Sequence, residues 1–200
     1  MVITISNRYG CGGLAVARRA AERLGYEYVD EQLPVVVAKR LHTSPEAVES
    51  AEDTGRTVSE KMLRGLELGT PEVRADATVS FDEACLREVQ EAVREFAARG
   101  NVVLIGRGAH AILGRRPDIL RVFMHAPREW RIRHIMDGEH VDEKTATAEM
   151  DRVDRARRDY VRAYYEIDWS DPANYDLVMD TSTFGVEGGA EVIVCAAKPR

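Results

Sequence analysis

The chain's architecture is set by VITISNRYGCGGLAVA, residues Val2 to Ala17. Val2, Ile3 and Ile5 form a short apolar strand, Gly10, Gly12 and Gly13 form a turn, and the turn opens an amphipathic helix. A strand, a turn of small residues and a helix N-terminus together make a seat for phosphate. The unpaired amides of the first helical turn and the positive end of the helix dipole both face the turn. Glycine admits positive φ and close backbone approach, so several N–H groups can converge on one anion. Against the phosphate-loop pattern G-x-x-x-x-G-K-[ST], Asn7 stands at the first glycine, Gly12 at the second, Gly13 at the lysine and Leu14 at the hydroxyl residue. Asparagine tolerates left-handed backbone better than most residues. Glycine for lysine removes a charge that would sit on the β- and γ-phosphates, and Ala15 brings no hydroxyl for magnesium. The plainer reading of the turn is one needed only for packing.

Leu14 to Leu24 carries apolar residues at helical spacing, Gly25 stops it, and Tyr26 to Val29 is a short strand ending at Asp30. This βαβ opening implies a parallel sheet with helices on its faces. From Glu31 to Gly100 the chain reads as helical and acidic. Pro34 to Leu41 can be a helix, Thr43-Ser44-Pro45-Glu46 looks like an N-cap with proline at the first helical position, and Ala51 to Val79 is polar and broken by glycines. Ser80 or Asp82 caps a long helix with Leu86, Val89, Val93 and Phe96 on one face, ended by Gly100. That face can be buried within the chain or against a second copy, which leaves a homodimer open. Asn101 to Ile105 is a continuous apolar run, as for a strand buried on both faces. Leu120 to His125 is a fourth strand and Tyr175 to Asp180 a fifth. Between them, Arg128 to Met136 starts a helix that Asp137-Gly138-Glu139-His140 breaks, and Asp142 to Tyr165 is long, helical and densely charged. Val186 to Ala197 closes the chain as a helix. The fold class is α/β, a five-stranded parallel sheet flanked by helices.

Two hundred residues suffice for one well-buried domain. A net charge of −6 argues against a general nucleic-acid binder, since phosphate backbones demand a basic face. No apolar run approaches the ~20 residues of a transmembrane helix. Cys11, Cys85 and Cys195 fit no metal-ligand spacing. Their odd number, with no signal peptide, points to a reducing cytoplasm. Cys11 lies in the glycine turn, where a reactive thiol is conceivable and a small filler is the simpler reading.

Positive charge for the loop must come from arginine. Arg8 in the turn is the best placed, while Arg18 and Arg19 read as solvated helix residues. Gly106-Arg107-Gly108 follows the third strand, at the sheet edge where ligands lie in open α/β folds, and an arginine there can fork onto a phosphate. Arg131, Arg133 and the run from Asp151 to Arg162 suit a lid that closes over phosphates, although a mixed-sign helix is more often a solvated face. Asp154, Arg157 and Arg158 share a helical face and can converge. Asp168-Trp169-Ser170-Asp171-Pro172 reads as a capped turn with Trp169 on the core, and His110, His125, His134 and His140 read as structural.

In this order the features resemble the nucleoside monophosphate kinases, most closely the cytidylate kinase-like branch of the P-loop kinases. The likeness rests on Gly106-Arg107 followed by Pro117-Asp118 and the strand Leu120 to Ala126. It rests also on Asp154 and Arg157 as the D-x-x-R part of an R-x-x-x-D-x-x-R helix, and on Tyr175 to Thr181 with its D-T ending. The resemblance implies a single kinase-like domain: core 1–30, 101–136 and 156–200, a helical substrate-binding insertion over 31–100 and a lid over 137–155. It implies ATP with Mg²⁺ as the donor and CMP, dCMP or a similar small acceptor. Asn7, Gly10, Cys11, Gly12, Gly13 and Leu14 would hold the ATP phosphates, and Arg107, Asp154 and Asp30 the acceptor. Arg8, Arg131, Arg133, Arg157 and Arg158 would neutralise the transferred group. The chain departs from the family pattern at Gly13 for the lysine, Gly108 for the aspartate of G-R-D, Met150 for the first lid-helix arginine and Ile105 for a carboxylate. The branch includes members with the same S-x-x-x-G-x-G-G loop, here Ser6 to Gly13. Two functions are therefore expected to compete, a kinase-like phosphotransferase and a non-catalytic nucleotide- or phosphometabolite-binding regulator.

Overall fold

Every residue of the first strand, β1 (Val2–Asn7), is buried, which requires that both its neighbours and both its faces be covered. The structure, a computed structural model, describes residues 1–30, 32–48 and 81–198. After β1 come α1 (Gly13–Leu24), β2 (Glu27–Val29), α2 (Gln32–Arg40), α3 (Phe81–Arg99) and β3 (Val102–Ile105). Then follow α4 (Ala109–Leu113), β4 (Ile119–His125), α5 (Arg128–Glu139), α6 (Glu143–Tyr165), β5 (Leu177–Asp180) and α7 (Thr181–Ala196). The strands form one parallel sheet in the order β2-β3-β1-β4-β5. Ile3 is in register with Val103 on one side and Leu120 on the other.

The two-residue period of the strands sorts their side chains into two cores. Ile3, Ile5, Val103, Ile105, Val122 and Met124 meet Val16, Ala17 and Ala20 of α1 and Ala190 and Ile193 of α7. Val2, Val102, Leu104 and Ile119 meet Leu33 and Val37 of α2, Val89, Val93 and Phe96 of α3, and Ala109 of α4. Each large aliphatic side chain so buried contributes about 1.5–3 kcal/mol. The small residues of α1 let it lie close to the sheet, and Gly25 ends it in left-handed conformation with its N–H on the carbonyls of Ala21 and Glu22. The apolar face of α3 is filled from within the chain, so it does not call for a second copy. Ser44 caps its helical turn through Oγ to the Ala47 amide at 3.3 Å. The helical pieces expected over Ala51 to Val79 lie outside the described residues.

One boundary differs from the sequence expectation, and one helical turn is added to it. The break placed at Asp137-Gly138-Glu139-His140 falls only at its last residue: α5 runs through Glu139, and His140 turns the chain at φ +57°. Ile135 explains the extension, since it packs with Ala146 and Met150 between α5 and α6 and holds the last turn down. Ahead of the closing helix, Asp180 caps an added turn from Thr181 through the Ser182 amide at 2.9 Å; Gly185, non-helical at φ +63° and ψ −172°, separates that turn from the helix expected from Val186.

A polar network lies beneath the carboxyl ends of the strands. His110 of α4 is 3% exposed, with Nδ1 3.2 Å from the Ser6 hydroxyl and Nε2 3.4 Å from the Tyr175 hydroxyl. Tyr175 donates to the Trp169 carbonyl at 2.7 Å, so its oxygen accepts from Nε2–H and Nδ1 accepts from Ser6. This is a neutral imidazole. Burial, assisted by the charge of Arg121, pulls its pKa from 6.5 down to about 4. The unfolded chain therefore binds the extra proton first as pH falls. Stability should be full above pH 6.5 and decline by on the order of 3 kcal/mol as pH drops from 6.5 to about 4. Arg121 holds the Asp176 carboxyl below its ordinary value, so loss of that pair belongs to lower pH. Urea unfolding of wild type and His110→Gln across this range should give a slope that the variant flattens; equal slopes would contradict the assignment.

Candidate functional site

The connections from β1 and β3 leave in opposite directions, β1 toward β2 and β3 across to β4. Open α/β sheets bind ligands at such a switch point. Here it holds a cavity of about 290 Å³. Ser6 and Asn7 wall it from β1, Leu14 from the start of α1, Asp30 from beyond β2 and Gly106-Arg107-Gly108 from beyond β3. One face of α6 (Val153, Ala156, Arg157, Tyr160 and Val161) lies opposite, with Arg152 and Trp169 beside it.

Arg107 enters this wall on a strained backbone. It has φ +55°, between Gly106 at +70° and Gly108 at +67°, so the chain leaves β3 through three consecutive left-handed residues. For arginine that conformation costs roughly 1–2 kcal/mol, and strain of this kind concentrates at binding sites. Gly108 has a second constraint. A Cβ there would lie 2.6 Å from Cε2 of Tyr165, which leaves no room for the aspartate of G-R-D.

The glycine turn is clamped from behind by α5 and α6. Asp154 Oδ1 accepts the Tyr9 amide at 2.9 Å, and Oδ2 accepts Arg131 Nη1 at 2.7 Å and lies 3.5 Å from Arg8 Nη1. Arg131 Nη1 also donates to the Tyr9 carbonyl at 3.1 Å. Three residues along α6, Arg157 Nη1 donates to the Asn7 carbonyl at 2.7 Å and lies over the Tyr9 ring. Burial pulls the Arg157 guanidinium below the ordinary arginine value, and Asp154 opposes that shift. Gly12, at φ +74°, is the N-cap of α1 and provides no side-chain hydrogen bond, so the helix amides face the turn without an internal cap. Thr181 Oγ1 steadies the turn from below, 2.5 Å from the Cys11 carbonyl and 3.0 Å from that of His125.

Of the residues singled out from sequence, Asn7, Leu14, Asp30, Arg107 and Arg157 come together on the cavity wall. Gly10, Cys11, Gly12 and Gly13 form the turn beside it. Cys11 is a filler: it is fully buried, its thiol faces the Met124 carbonyl, and burial pushes it up from its usual pKa. Asp154 and Arg131 lie behind the turn, with Arg8 reaching Asp154 and Trp169. Arg133 and Arg158 are exposed and off the wall. The convergence expected of Asp154, Arg157 and Arg158 therefore holds for the first two only. A helix turns about 100° per residue, which carries Arg158 away from the side that Val153, Arg157 and Tyr160 present. Arg19 is engaged by Glu22 and Glu187, and Arg18 lies over the Tyr28 ring. Sequence reasoning did not select His110 or Tyr160 as cavity residues; Arg152 fell within the arginine-dense run, and Trp169 was read as packed on the core. Tyr160 was within reach, since its i+3 spacing from Arg157 places it on the same helical face.

Comparison with known proteins follows this geometry. The model of the cytidylate kinase-like family matches residues 2–183. The cytidylate kinase of Methanocaldococcus jannaschii is 29% identical over 199 residues, covering 98% of this chain and 97% of its own length. A solved structure of an uncharacterized protein from Eubacterium ventriosum superposes with a TM-score of 0.69 at 21% identity, over 100% of this chain and 99% of that one. Shikimate kinase from Bacteroides thetaiotaomicron gives a TM-score of 0.51 at 14% identity, over 96% of each chain. The two superpositions speak to the fold alone. A family match that takes in both the glycine turn and the last strand of the sheet leaves one assignment: the chain belongs to the cytidylate kinase-like family of phosphotransferases.

Proposed function

We propose that the protein transfers a phosphoryl group from ATP to a nucleoside monophosphate, with CMP or dCMP the acceptor. The observation that carries this reading is the cavity at the switch point, where Asn7 and Leu14, on either side of the glycine turn, meet Arg107 and Arg157 across about 290 Å³. Its chemistry matches a reaction whose catalysis is positioning and charge neutralisation, with little covalent work for the protein.

In this reading the amides of Gly10, Gly12 and Gly13 and the uncapped start of α1 seat the donor phosphates, with Cys11 and Leu14 completing the turn. Arg107 forks onto the acceptor phosphate, presented by its left-handed backbone. Arg157 lies between the two and neutralises charge as it spreads over the transferred group. Asp154 is a positioning residue: it holds Arg131 and Arg8 against the loop rather than reading a base. Mg²⁺, arriving with the nucleotide, would supply positive charge against its phosphates. Asp30 is the carboxylate on the cavity wall that fits such an ion, which binds through one or two carboxylates and keeps several waters. Among the described residues no group of three or more His, Cys, Asp and Glu side chains forms a cage for it.

The regulator reading draws on two observations. Asp154 already occupies the Tyr9 amide and Arg131, as a bound anion would, and Gly13 and Leu14 bring neither the lysine nor the hydroxyl of the usual loop. ADP release measured with ATP, Mg²⁺ and a panel of nucleoside monophosphates separates the two. The kinase reading expects acceptor-dependent turnover, highest with a cytidine nucleotide, that falls about 10²-fold or more in Arg107→Ala. ATP binding by calorimetry with no turnover across the panel would establish the regulator instead. Arg19→Ala, whose guanidinium is engaged by Glu22 and Glu187, should leave turnover within twofold, an approximate margin for a surface change.

A further inference from the structure

The missing lysine has a physical reason that lies six residues upstream. Position 13 has ordinary helical backbone, since Gly13 is the first residue of α1 and its φ is not positive. Nothing in the conformation demands glycine there. The demand is steric: a Cβ at 13 would lie 2.9 Å from Cβ of Asn7, 3.2 Å from its Cγ and 3.0 Å from Cε of Met124. The methionine end can swing aside, but the Asn7 Cβ is fixed by β1, whose Asn7 pairs with Met124 of β4. Asn7 stands where the phosphate-loop pattern has its first glycine, and Gly13 where it has lysine. The two departures are therefore one. A side chain at the first position fills the space that the lysine's own Cβ needs, and a glycine there opens it.

The same asparagine is where a cation enters. Arg157 Nη1 donates to the Asn7 carbonyl at 2.7 Å, and both residues line the cavity. Arg8, by contrast, reaches Asp154 and the Trp169 ring, while Arg131 is buried against Asp154 and the Tyr9 carbonyl. Neither is among the residues that line the cavity.

We propose that Asn7 and Gly13 are a single compensated exchange, and that Arg157, delivered from α6 onto the Asn7 carbonyl, takes the place of the loop lysine as the cation on the donor phosphates. The steric half stands on the fold alone; the second half rests on the phosphotransfer reading. Moving the cation from the loop to α6 also ties donor binding to the placement of that helix, since Asp154 and Arg157 on its face contact the two ends of Asn7 to Tyr9.

The test is a pair of cycles. In thermal unfolding, Gly13→Ala should lower the midpoint by about 4 °C or more, and the same change made in an Asn7→Gly background should cost little or nothing. Additive losses, or a Gly13→Ala as stable as wild type, would overturn the exchange. ATP affinity is then read by calorimetry in proteins whose unfolding midpoints are known. Arg157→Gln should weaken ATP about tenfold or more. Adding Asn7→Gly with Gly13→Lys to Arg157→Gln should restore most of that loss. A merely structural arginine would not be rescued by a lysine on another element. Unchanged ATP affinity in Arg157→Gln, or no rescue by the relocated lysine, would overturn the cation assignment. If wild type itself binds no ATP, the phosphotransfer reading and the cation role fail together, whereas the unfolding cycle still decides the exchange.

Discussion

The contact on which the site depends is the carboxylate of Asp154. From the middle of α6 it takes the Tyr9 amide with one oxygen and Arg131 with the other. Asp154 and Arg131 are both buried. A buried ion pair of this kind is weak evidence for net stability, because two desolvated charges recover little beyond what hydrophobic packing would give. Its value is positional. It joins the consecutive helices α5 and α6 to the glycine turn, more than a hundred residues away in sequence, and so fixes the helix that carries Arg157 relative to the loop. Removing Asp154 would leave the Arg131 charge buried without its carboxylate, which costs about 3–5 kcal/mol. The apolar contacts of Ile135, Ala146 and Met150 hold the same two helices together alongside it. That packing also explains why position 150 carries methionine where the resembling helix has arginine: the side chain there is fully buried.

From this constraint the rest of the site follows in order. The sheet delivers Asn7 and Arg107 to the same edge because β1 and β3 are neighbours in register. The left-handed turn at Gly106 to Gly108 aims Arg107 along the edge rather than away from it. His110 and Tyr175 then fill the space beneath, satisfying Ser6 without charge. The cavity is thus lined by three arginines, Arg107, Arg152 and Arg157, and one aspartate over an uncharged floor. In such surroundings a guanidinium acts on a phosphate more strongly than it would in water.

Most of the fold could be read from the chain. The apolar runs at Val2–Ile5 and Val102–Ile105 are strands buried on both faces, and the spacing of Ala17, Ala20 and Ala21 placed α1 against one of them, although Leu14 in the same pattern is exposed. The errors have local causes. Gly138 argued for a break, but tertiary packing of Ile135 carried the helix past it; Asp180 caps an extra turn ahead of Val186 that the apolar pattern did not show. The site was less legible. Arginines could be counted but not aimed, because orientation depends on contacts such as Arg157 to Asn7, 150 residues apart. Arg158, one residue further along, is exposed. The departures from the familiar loop looked like losses in one dimension. In three dimensions Gly13 answers to Asn7 and Gly108 to Tyr165, pairings that no local spacing displays.

Whether donor phosphates settle on the glycine turn under Arg157 is open to observation residue by residue. Backbone ¹⁵N–¹H and arginine Nε–H resonances, recorded as a non-hydrolysable ATP analogue is added with Mg²⁺, would report it. The largest shifts should fall on the amides of Gly12, Gly13 and Leu14 and on Arg157 Nε, with Arg18 and Arg19 little affected. Shifts confined to other surfaces, with the turn amides and Arg157 unmoved at saturation, would contradict the placement of the phosphate site.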